Sequence, residues 1–227
     1  GSIESDVRVV SAHTDLAGTK AKLITPIGPL TFDFSLIGKF NIENAALAAG
    51  LAVGLDLQPE VIERGIGTCS QIPGRIERIS GPPGSPNVFV DYAHTPGALE
   101  NALKALRDQS GGRLWCVFGC GGDRDRGKRP QMGRIAHELA DRVVVTDDNP
   151  RSEDPAAIRT EILRGCPDAV EIGERRKAIA KAIGWLGSGD LLLIAGKGHE
   201  TGQEIASVTH SFDDVAVARA VLKEGVS

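Results

Sequence analysis

Partly alternating apolar and polar positions predict a small antiparallel sheet in the first part of the chain. The strand-like runs lie at residues 7–10, 20–24 and 30–36. They are short and separated by Gly and Pro, which is typical of strands joined by tight turns. The next residues change to a helical pattern, so the sheet is expected to end near residue 36.

Two helices are predicted to follow this sheet. Residues 41–56 begin with Asn41, which we interpret as an N-terminal cap, and continue as an alanine-rich segment. Residues 59–68 open with proline, which is favoured in the first turn of a helix. The segment at 69–74 then breaks the pattern with Gly and Pro. We therefore place a domain boundary at the end of that segment.

Beyond residue 74, apolar runs alternate with helical segments. Residues 75–79 and 88–90 are predicted to form a hairpin around the Pro- and Gly-rich loop at 81–86. The further predicted strands are 114–118, 143–146, 169–172 and 191–195, and the predicted helices are 96–108, 130–140, 155–165, 174–186 and 214–223. This alternation predicts an α/β fold with a Rossmann-like, mostly parallel sheet covered by helices on both faces.

Composition narrows the class of protein. The chain has 227 residues, a net charge of -4 and 41% hydrophobic residues, which suits one or two globular domains. Its longest apolar run, 45–55, is shorter than the roughly 20 residues of a membrane span, so no membrane partner is expected. Mild acidity and 4% aromatic residues argue against nucleic-acid binding. The four cysteines contain no C-x-x-C spacing, which disfavours zinc and a disulfide framework.

Charged and glycine-rich loops follow four of the predicted strands. In an open parallel sheet, ligands bind beyond the carboxyl ends of the strands. The four loops lie at 91–96, 119–130, 147–155 and 195–200, whereas the connections at 109–112 and 187–189 look like plain turns. This asymmetry predicts one active edge of the sheet.

The loop at 119–130 resembles two nucleotide-binding motifs but matches neither. The spacing G-x-G-x-x-G would need glycine at Arg124, and residues 122–128 fit G-x-x-x-x-G-K but are followed by Arg129 instead of Ser or Thr. Two interpretations stay open. The loop is either a glycine-rich turn in which Arg124 and Arg126 donate to a carboxylate or phosphate, or an ordinary solvated loop.

The Asp-Asn-Pro-Arg run at 148–151 also has two interpretations. It can be a turn with helix-capping residues after it, or one side of a site for a zwitterion. In the second case Arg151 pairs with a ligand carboxylate, while Asp148 and Glu200 accept from its ammonium group. The segment at 196–200 alone reads equally well as a glycine turn with an exposed lysine, and His94 alone as a structural residue.

Taken together, these motifs resemble those of one family. Asp-Tyr-Ala-His-Thr-Pro at 91–96, Phe-Gly-Cys-Gly-Gly-Asp-Arg-Asp at 118–125, Asp-Asp-Asn-Pro-Arg at 147–151 and Gly-Lys-Gly-His-Glu at 196–200 resemble, in order and spacing, the C-terminal part of MurE-type Mur ligases. Upstream, Phe-Asn-Ile-Glu-Asn at 40–44 resembles the end of the family's central ATPase domain. Pro-Gly-Arg-Ile-Glu at 73–77 resembles its junction with the last domain.

The resemblance implies a cytoplasmic, ATP- and Mg²⁺-dependent ligase of peptidoglycan synthesis. Such an enzyme joins an amino acid to UDP-N-acetylmuramoyl-alanyl-glutamate through an acyl phosphate. In the family, Asp-Asn-Pro-Arg marks enzymes that add meso-diaminopimelate instead of lysine. The implied amino-acid site is Arg124, Asp148, Asn149, Pro150, Arg151, Gly196 and Glu200. The implied nucleotide site is Asn41, Asn44, Arg75, Asp91 and His94.

The resemblance also implies a division of the chain and a limit on its activity. Residues 1–74 correspond to the tail of a mixed α/β ATPase domain, and residues 75–227 to the amino-acid-selecting domain. The family's phosphate loop, UDP-binding domain and modified lysine are not matched in this sequence. We therefore expect a piece that does not ligate alone. We also expect it to be monomeric and to hold no catalytic residue or metal ligand. The alternatives are a lysine-adding sister enzyme and a silent amino-acid or nucleotide binding module.

Overall fold

A computed structural model describes residues 5–224 of the chain. The chain divides into two compact units, one ending at Ile72 and the other beginning at Pro73. The sequence predicts the boundary two residues later, between residues 74 and 75.

The first unit is a three-stranded antiparallel sheet with two helices. Its strands are β1 (Arg8–Asp15), β2 (Gly18–Thr25) and β3 (Gly28–Phe34), in the order β1-β2-β3, and its helices are α1 (Lys39–Gly54) and α2 (Pro59–Gly67). Alternate residues of β2 and β3 are buried, as the sequence pattern predicts. Leu23, Leu30 and Phe32 pack there with Ala49 and Ile62 of the helices.

The start of α1 differs from the prediction. The capping residue is Gly38, with φ 103°, and α1 begins at Lys39, so Asn41 lies inside the first turn instead of capping it. Its buried side chain donates from Nδ2 to the carbonyl oxygen of Ile37 at 2.9 Å. A glycine at position 38 allows the left-handed backbone that starts the helix earlier than the polar pattern suggests.

The second unit is built on a six-stranded sheet. In chain order its strands are β4 (Glu77–Ile79), β5 (Asn87–Asp91), β6 (Leu114–Phe118), β7 (Arg142–Val145), β8 (Val170–Glu171) and β9 (Leu191–Ala195). Their spatial order is β4-β5-β9-β6-β7-β8. Every neighbouring pair is parallel except β4 with β5, which form the expected hairpin.

Five helices cover this sheet, and they are α3 (Pro96–Arg107), α4 (Lys128–Leu139), α5 (Pro155–Leu163), α6 (Arg175–Gly184) and α7 (Asp214–Glu224). Helices α6 and α7 share one apolar cluster with Val88, Val117 and Ile194 of the strands. Their strand neighbours Phe89, Cys116 and Leu193 are also buried, and they point to the opposite face, where α3, α4 and α5 pack. The predicted α/β fold, with helices on both faces of a mostly parallel sheet, is confirmed.

A second β-hairpin completes the unit. A hairpin of β10 (Gly202–Ile205) and β11 (Val208–Ser211), which the sequence pattern did not predict, follows β9. Within residues 5–224, no helix is long and apolar enough to cross a membrane.

Candidate functional site

The topology of the second unit gathers the four predicted loops at one edge of the sheet. Strand β9 lies between β5 and β6, so the segments that follow β5, β6, β7 and β9 start side by side. A cleft of about 360 Å³ opens elsewhere around Trp115 and Trp185, but the larger one, of about 630 Å³, lies among these loops. Its lining includes Arg124, Asp148, Asn149, Arg151, Gly196 and Glu200. This volume suits a small-molecule ligand.

The hairpin β10–β11 supports the segment at 148–151 from behind. The Arg151 N–H donates to the carbonyl oxygen of Glu204 at 3.0 Å, and the Ala206 N–H donates to the carbonyl oxygen of Arg151 at 2.8 Å. The Gln203 side chain donates to the carbonyl oxygen of Asp148 at 2.7 Å. These bonds hold Arg151 at φ 53°, a conformation that is uncommon for a residue with a side chain.

The Arg151 guanidinium is held at Nε and at Nη1, and its third nitrogen, Nη2, is open. Nε lies 3.1 Å from Oε2 of Glu204, and Nη1 donates to the carbonyl oxygen of Gly122 at 2.8 Å. The side chain is 21% exposed and lines the cleft. Within residues 5–224 Nη2 makes no hydrogen bond, so it can donate to a ligand carboxylate.

Glycine is required where the loop after β6 crosses the segment at 148–151. A Cβ on Gly122 would lie 1.9 Å from the carbonyl oxygen of Pro150, and the Gly122 N–H donates to the carbonyl oxygen of Asn149 at 2.9 Å. Pro150 itself is buried behind the cleft and is not part of its lining. Its place in the predicted amino-acid site is therefore one of support.

A second close approach brings the loop after β9 against Asp148. Gly196 has φ 119°, and a Cβ there would lie 2.6 Å from Oδ2 of Asp148. Asp148 is 7% exposed and still lines the cleft. Any larger residue at position 196 would displace this carboxylate.

Arg129 and Glu153 link the two longest loops. The Arg129 side chain is fully buried and contacts Glu153 at 2.7 Å and Glu161 at 2.8 Å. Glu153 also accepts from the Asp123 N–H at 2.6 Å. Hydrogen bonds from Arg129 hold the pKa of Glu153 at about 2, below its usual 4.5. The network fixes the loop that carries Arg124 against the one that carries Arg151.

The predicted nucleotide-binding residues fall in both units. Asn41 and exposed Asn44 lie on α1 of the first unit, where the Asn44 amide contacts Asn41 at 3.4 Å. In the second unit Arg75 lies over the Tyr92 ring at 5.4 Å, and the His94 ring lies 4.5 Å from the same ring. Arg75, Tyr92 and His94 therefore form one cluster beside the cleft.

Asp91 has a structural role in addition to any ligand contact. Its carboxylate accepts from the backbone N–H groups of Ile76 and Ala93, both at 2.8 Å. Burial raises its pKa, although these two hydrogen bonds and the charge of Arg75 act in the opposite direction. Asp91 thus ties the start of the second unit to the end of β5.

Sequence reasoning missed several residues that build the site. Gln203 and Glu204 lie in the unpredicted hairpin, and Arg129 was considered only as a mismatch to a nucleotide motif. One of the two interpretations of the segment at 196–200 makes Lys197 exposed, yet its side chain is fully buried. Only its position within Gly-Lys-Gly-His-Glu marked Lys197 as part of a functional loop.

Curated proteins resemble most of this chain. The model of the family described as "Mur ligase, glutamate ligase domain" matches residues 74–198. A protein of Mesorhizobium japonicum named UDP-N-acetylmuramoyl-L-alanyl-D-glutamate--2,6-diaminopimelate ligase is 51% identical over 192 residues, which are 85% of this chain and 40% of that protein. Its namesake in Gloeobacter violaceus is 49% identical over 91% of this chain and 43% of its own length. The chain thus spans about two-fifths of these relatives.

Solved structures resemble the chain as well. A structure titled UDP-N-acetylmuramoyl-L-alanyl-D-glutamate--2,6-diaminopimelate ligase matches 97% of this chain and 46% of its own, with TM-score 0.71 and 38% identity. The folylpolyglutamate synthase of Mycobacterium tuberculosis, solved with ADP and AMPPCP, shares the fold at TM-score 0.69 and 22% identity over 85% of this chain and 46% of its own. With its parallel sheet and the family match over residues 74–198, the chain belongs to the Mur ligase family.

Proposed function

We propose that this chain supplies the amino-acid-selecting part of an ATP-dependent ligase that adds meso-diaminopimelate to UDP-N-acetylmuramoyl-L-alanyl-D-glutamate. The names of its relatives at about 50% identity support the reaction. In this proposal the first unit corresponds to the end of the ATPase domain, and the second to the amino-acid-selecting domain. Arg124, Asp148, Asn149, Arg151, Gly196 and Glu200 bind the amino acid, with Pro150 behind them. The enzyme acts in the cytoplasm as a monomer.

One observation carries the choice of substrate. The Arg151 guanidinium lines the cleft with Nη2 available, while Asp148 and Glu200 line it with negative charge. Diaminopimelate is lysine with a carboxylate on its distal carbon. It can therefore accept from Nη2 of Arg151, whereas lysine leaves that donor without an acceptor in the cleft. The lysine-adding sister enzyme is disfavoured for this reason.

The chemistry of the ligase assigns this chain a binding and orienting role. ATP converts the glutamate carboxylate of the acceptor into an acyl phosphate, and the amine of the amino acid attacks it with loss of phosphate. Asp148 and Glu200 orient that amine, while Arg151 holds the distal carboxylate. Asn41, Asn44, Arg75, Asp91 and His94 are proposed to contact ATP.

We assign no Mg²⁺ ligand within this chain. Among residues 5–224, no group of three or more His, Cys, Asp and Glu side chains is arranged to hold a metal ion.

A titration followed by amide NMR tests the proposed substrate. Labelled chain is mixed with meso-diaminopimelate, L-lysine or a non-hydrolysable ATP analogue. We expect diaminopimelate, but not lysine, to shift the signals of Asn149, Arg151, Gly196 and Glu200. Equal shifts with lysine would favour the sister enzyme, and no shift with either amino acid would count against the proposed site.

We further propose that the 227-residue chain does not turn over ATP alone. The one segment with G-x-x-x-x-G-K spacing ends before Arg129, which is buried in ion pairs with Glu153 and Glu161 instead of offering a hydroxyl to a nucleotide. Phosphate release is measured with ATP, diaminopimelate and the UDP-linked acceptor present. Steady release above the rate without the chain would contradict this.

A further inference from the structure

Lys197 is a buried lysine whose partners line the cleft while it does not. It follows Gly196 beyond the end of β9, and its side chain is 0% exposed. Nζ donates to Oδ1 of Asn149 at 2.8 Å and lies 3.4 Å from Oε2 of Glu200. A buried ammonium group is unfavourable unless it is paired, so Asn149 and Glu200 are the groups that make the burial of Lys197 tolerable.

The orientation of the Asn149 amide is fixed by two donors. Oδ1 accepts from Lys197 Nζ at 2.8 Å and from the Glu204 N–H at 3.0 Å. An amide rotated by 180° would place its NH₂ group against both donors. Nδ2 therefore faces Glu200, to which it donates at 3.2 Å, and its second hydrogen remains for another acceptor.

The Glu200 carboxylate is oriented by the same lysine. Its Oε2 atom receives hydrogen bonds from both Asn149 Nδ2 and Lys197 Nζ. Its Oε1 atom accepts no hydrogen bond in the part of the chain that the structure describes, and the side chain is 35% exposed at the cleft. One oxygen is thus held by the protein, and the other is available to an ammonium group.

We propose that Lys197 is a positioning residue for amino-acid binding, which sets the side chains of Asn149 and Glu200 without touching the ligand. Its ammonium group holds the Asn149 amide and keeps the Glu200 carboxylate turned toward the cleft. The ligand it serves is an α-amino acid: its ammonium group pairs with Oε1 of Glu200, and its carboxylate accepts from the second N–H of Asn149. This inference rests on the proposed amino-acid site.

A ligand-free measurement tests the positioning itself. The side-chain amide signals of Asn149 are compared by NMR in the 227-residue chain and in Lys197→Met, which has similar length but no donor. We expect these signals to shift in the variant and their hydrogens to exchange faster with solvent. Lys181→Met, a change of an exposed lysine on α6, is the matched control and should leave them unchanged. Unmoved Asn149 signals in Lys197→Met would overturn the proposal.

A binding measurement tests the consequence for the ligand. We expect Lys197→Met to raise the Kd of meso-diaminopimelate by about tenfold, the effect of losing roughly one charge-assisted hydrogen bond. The Kd of the ATP analogue should stay the same. In an Asn149→Ala background, Lys197→Met should raise the Kd by a smaller factor than in the wild type, because only the contact with Glu200 then remains to be lost. Equal losses in both backgrounds would contradict action through Asn149.

Two further outcomes separate this inference from the function on which it rests. If the wild-type chain binds no diaminopimelate, the proposed function fails in that assay, while the Asn149 signals still decide whether Lys197 positions the amide. If Lys197→Met does not fold, Lys197→Gln, which keeps a neutral donor, is measured in the same way. If neither variant folds, Lys197 is structural and the proposal is wrong.

Discussion

Arg151 donates from Nη1 to the carbonyl oxygen of Gly122 at 2.8 Å, so the residue proposed to select the amino acid is held by the glycine loop after β6. The acceptor is a neutral backbone carbonyl, so this contact orients Arg151 without neutralising its charge. The opposite edge of the guanidinium is paired with Glu204 at 3.1 Å. Arg151 is therefore oriented by the glycine loop and by strand β10 before any ligand arrives.

The first prediction concerns the planar set of N–H donors on the Arg151 guanidinium. Arg151→Lys keeps the positive charge but loses the planar set of donors, so it cannot hold both Gly122 and a ligand carboxylate in the same geometry. We expect the Kd of meso-diaminopimelate to rise by about 10- to 100-fold, as for the loss of a charged hydrogen bond. Titration calorimetry or NMR of the chain measures it, and the Kd of the ATP analogue should not change.

The control for this prediction is Arg164→Lys, the same substitution at an exposed arginine after α5. It should leave both constants as they are. A similar loss of affinity for diaminopimelate and for the ATP analogue in Arg151→Lys would show that Arg151 supports the whole site and does not select the amino acid.

A second prediction concerns Arg129. Arg129→Met removes the donors of a buried guanidinium and leaves Glu153 and Glu161 without their shared partner. We expect the free energy of unfolding to fall by about 2 kcal/mol. Urea unfolding followed by tryptophan fluorescence measures it, since both tryptophans, Trp115 and Trp185, belong to the second unit.

Arg126→Met is the matched control, because Arg126 also pairs with Glu161 but is 64% exposed. Exposed ion pairs contribute little to stability, so this variant should resemble the wild type. Equal destabilisation by the two substitutions would mean that burial of Arg129 adds nothing.

How far the sequence predicts this fold depends on the kind of signal. The strands around Val117 and Leu193 are recognisable because continuous apolar runs mark strands that are buried on both faces. The hairpin at 202–211 was missed because its residues are largely exposed and carry no regular apolar alternation. It is instead fixed by contacts with Arg151 and Asp148, which are distant in sequence.

The candidate site is likewise predictable from the sequence only in part. The ends of the strands and the charged loops located the cleft, and the motifs named most of its lining. The burial of Lys197 and Arg129 was not predictable, because charged side chains are usually exposed and only tertiary pairing makes their burial tolerable. The cap assigned to Asn41 failed for a local reason, since Gly38 starts the helix first.

A third prediction follows from the pKa of Glu153. Its folded pKa of about 2 lies below the ordinary value of 4.5, so its ionised form stabilises the folded chain above that ordinary value. This contribution is lost as the pH falls from about 5 toward 2. Glu153→Gln should therefore be less stable than the wild type at neutral pH, and the difference should shrink over this range. Urea unfolding at several pH values measures it.

The control for Glu153→Gln is a carboxylate that lies outside the ion pairs of Arg129. Glu138→Gln, on an exposed position of α4, serves as that control and should show a much smaller dependence of its difference on pH. A difference between Glu153→Gln and wild type that stays constant across the range would contradict the assigned role of Arg129 in lowering this pKa.

The last prediction concerns the buried pair of Arg175 and Asp214, both 0% exposed. Arg175 donates to both oxygens of Asp214, at 2.8 and 2.7 Å, and to the carbonyl oxygen of Ala195 at 3.0 Å, so it joins α6, α7 and the end of β9. Asp214→Leu alone leaves a buried unpaired charge and should cost about 3–5 kcal/mol, whereas the double variant with Arg175→Met should recover much of that loss. Tryptophan fluorescence in urea gives the double-mutant cycle. Additive losses would show that the two side chains stabilise the unit independently, and the end of β9 would then be held by its backbone hydrogen bonds alone.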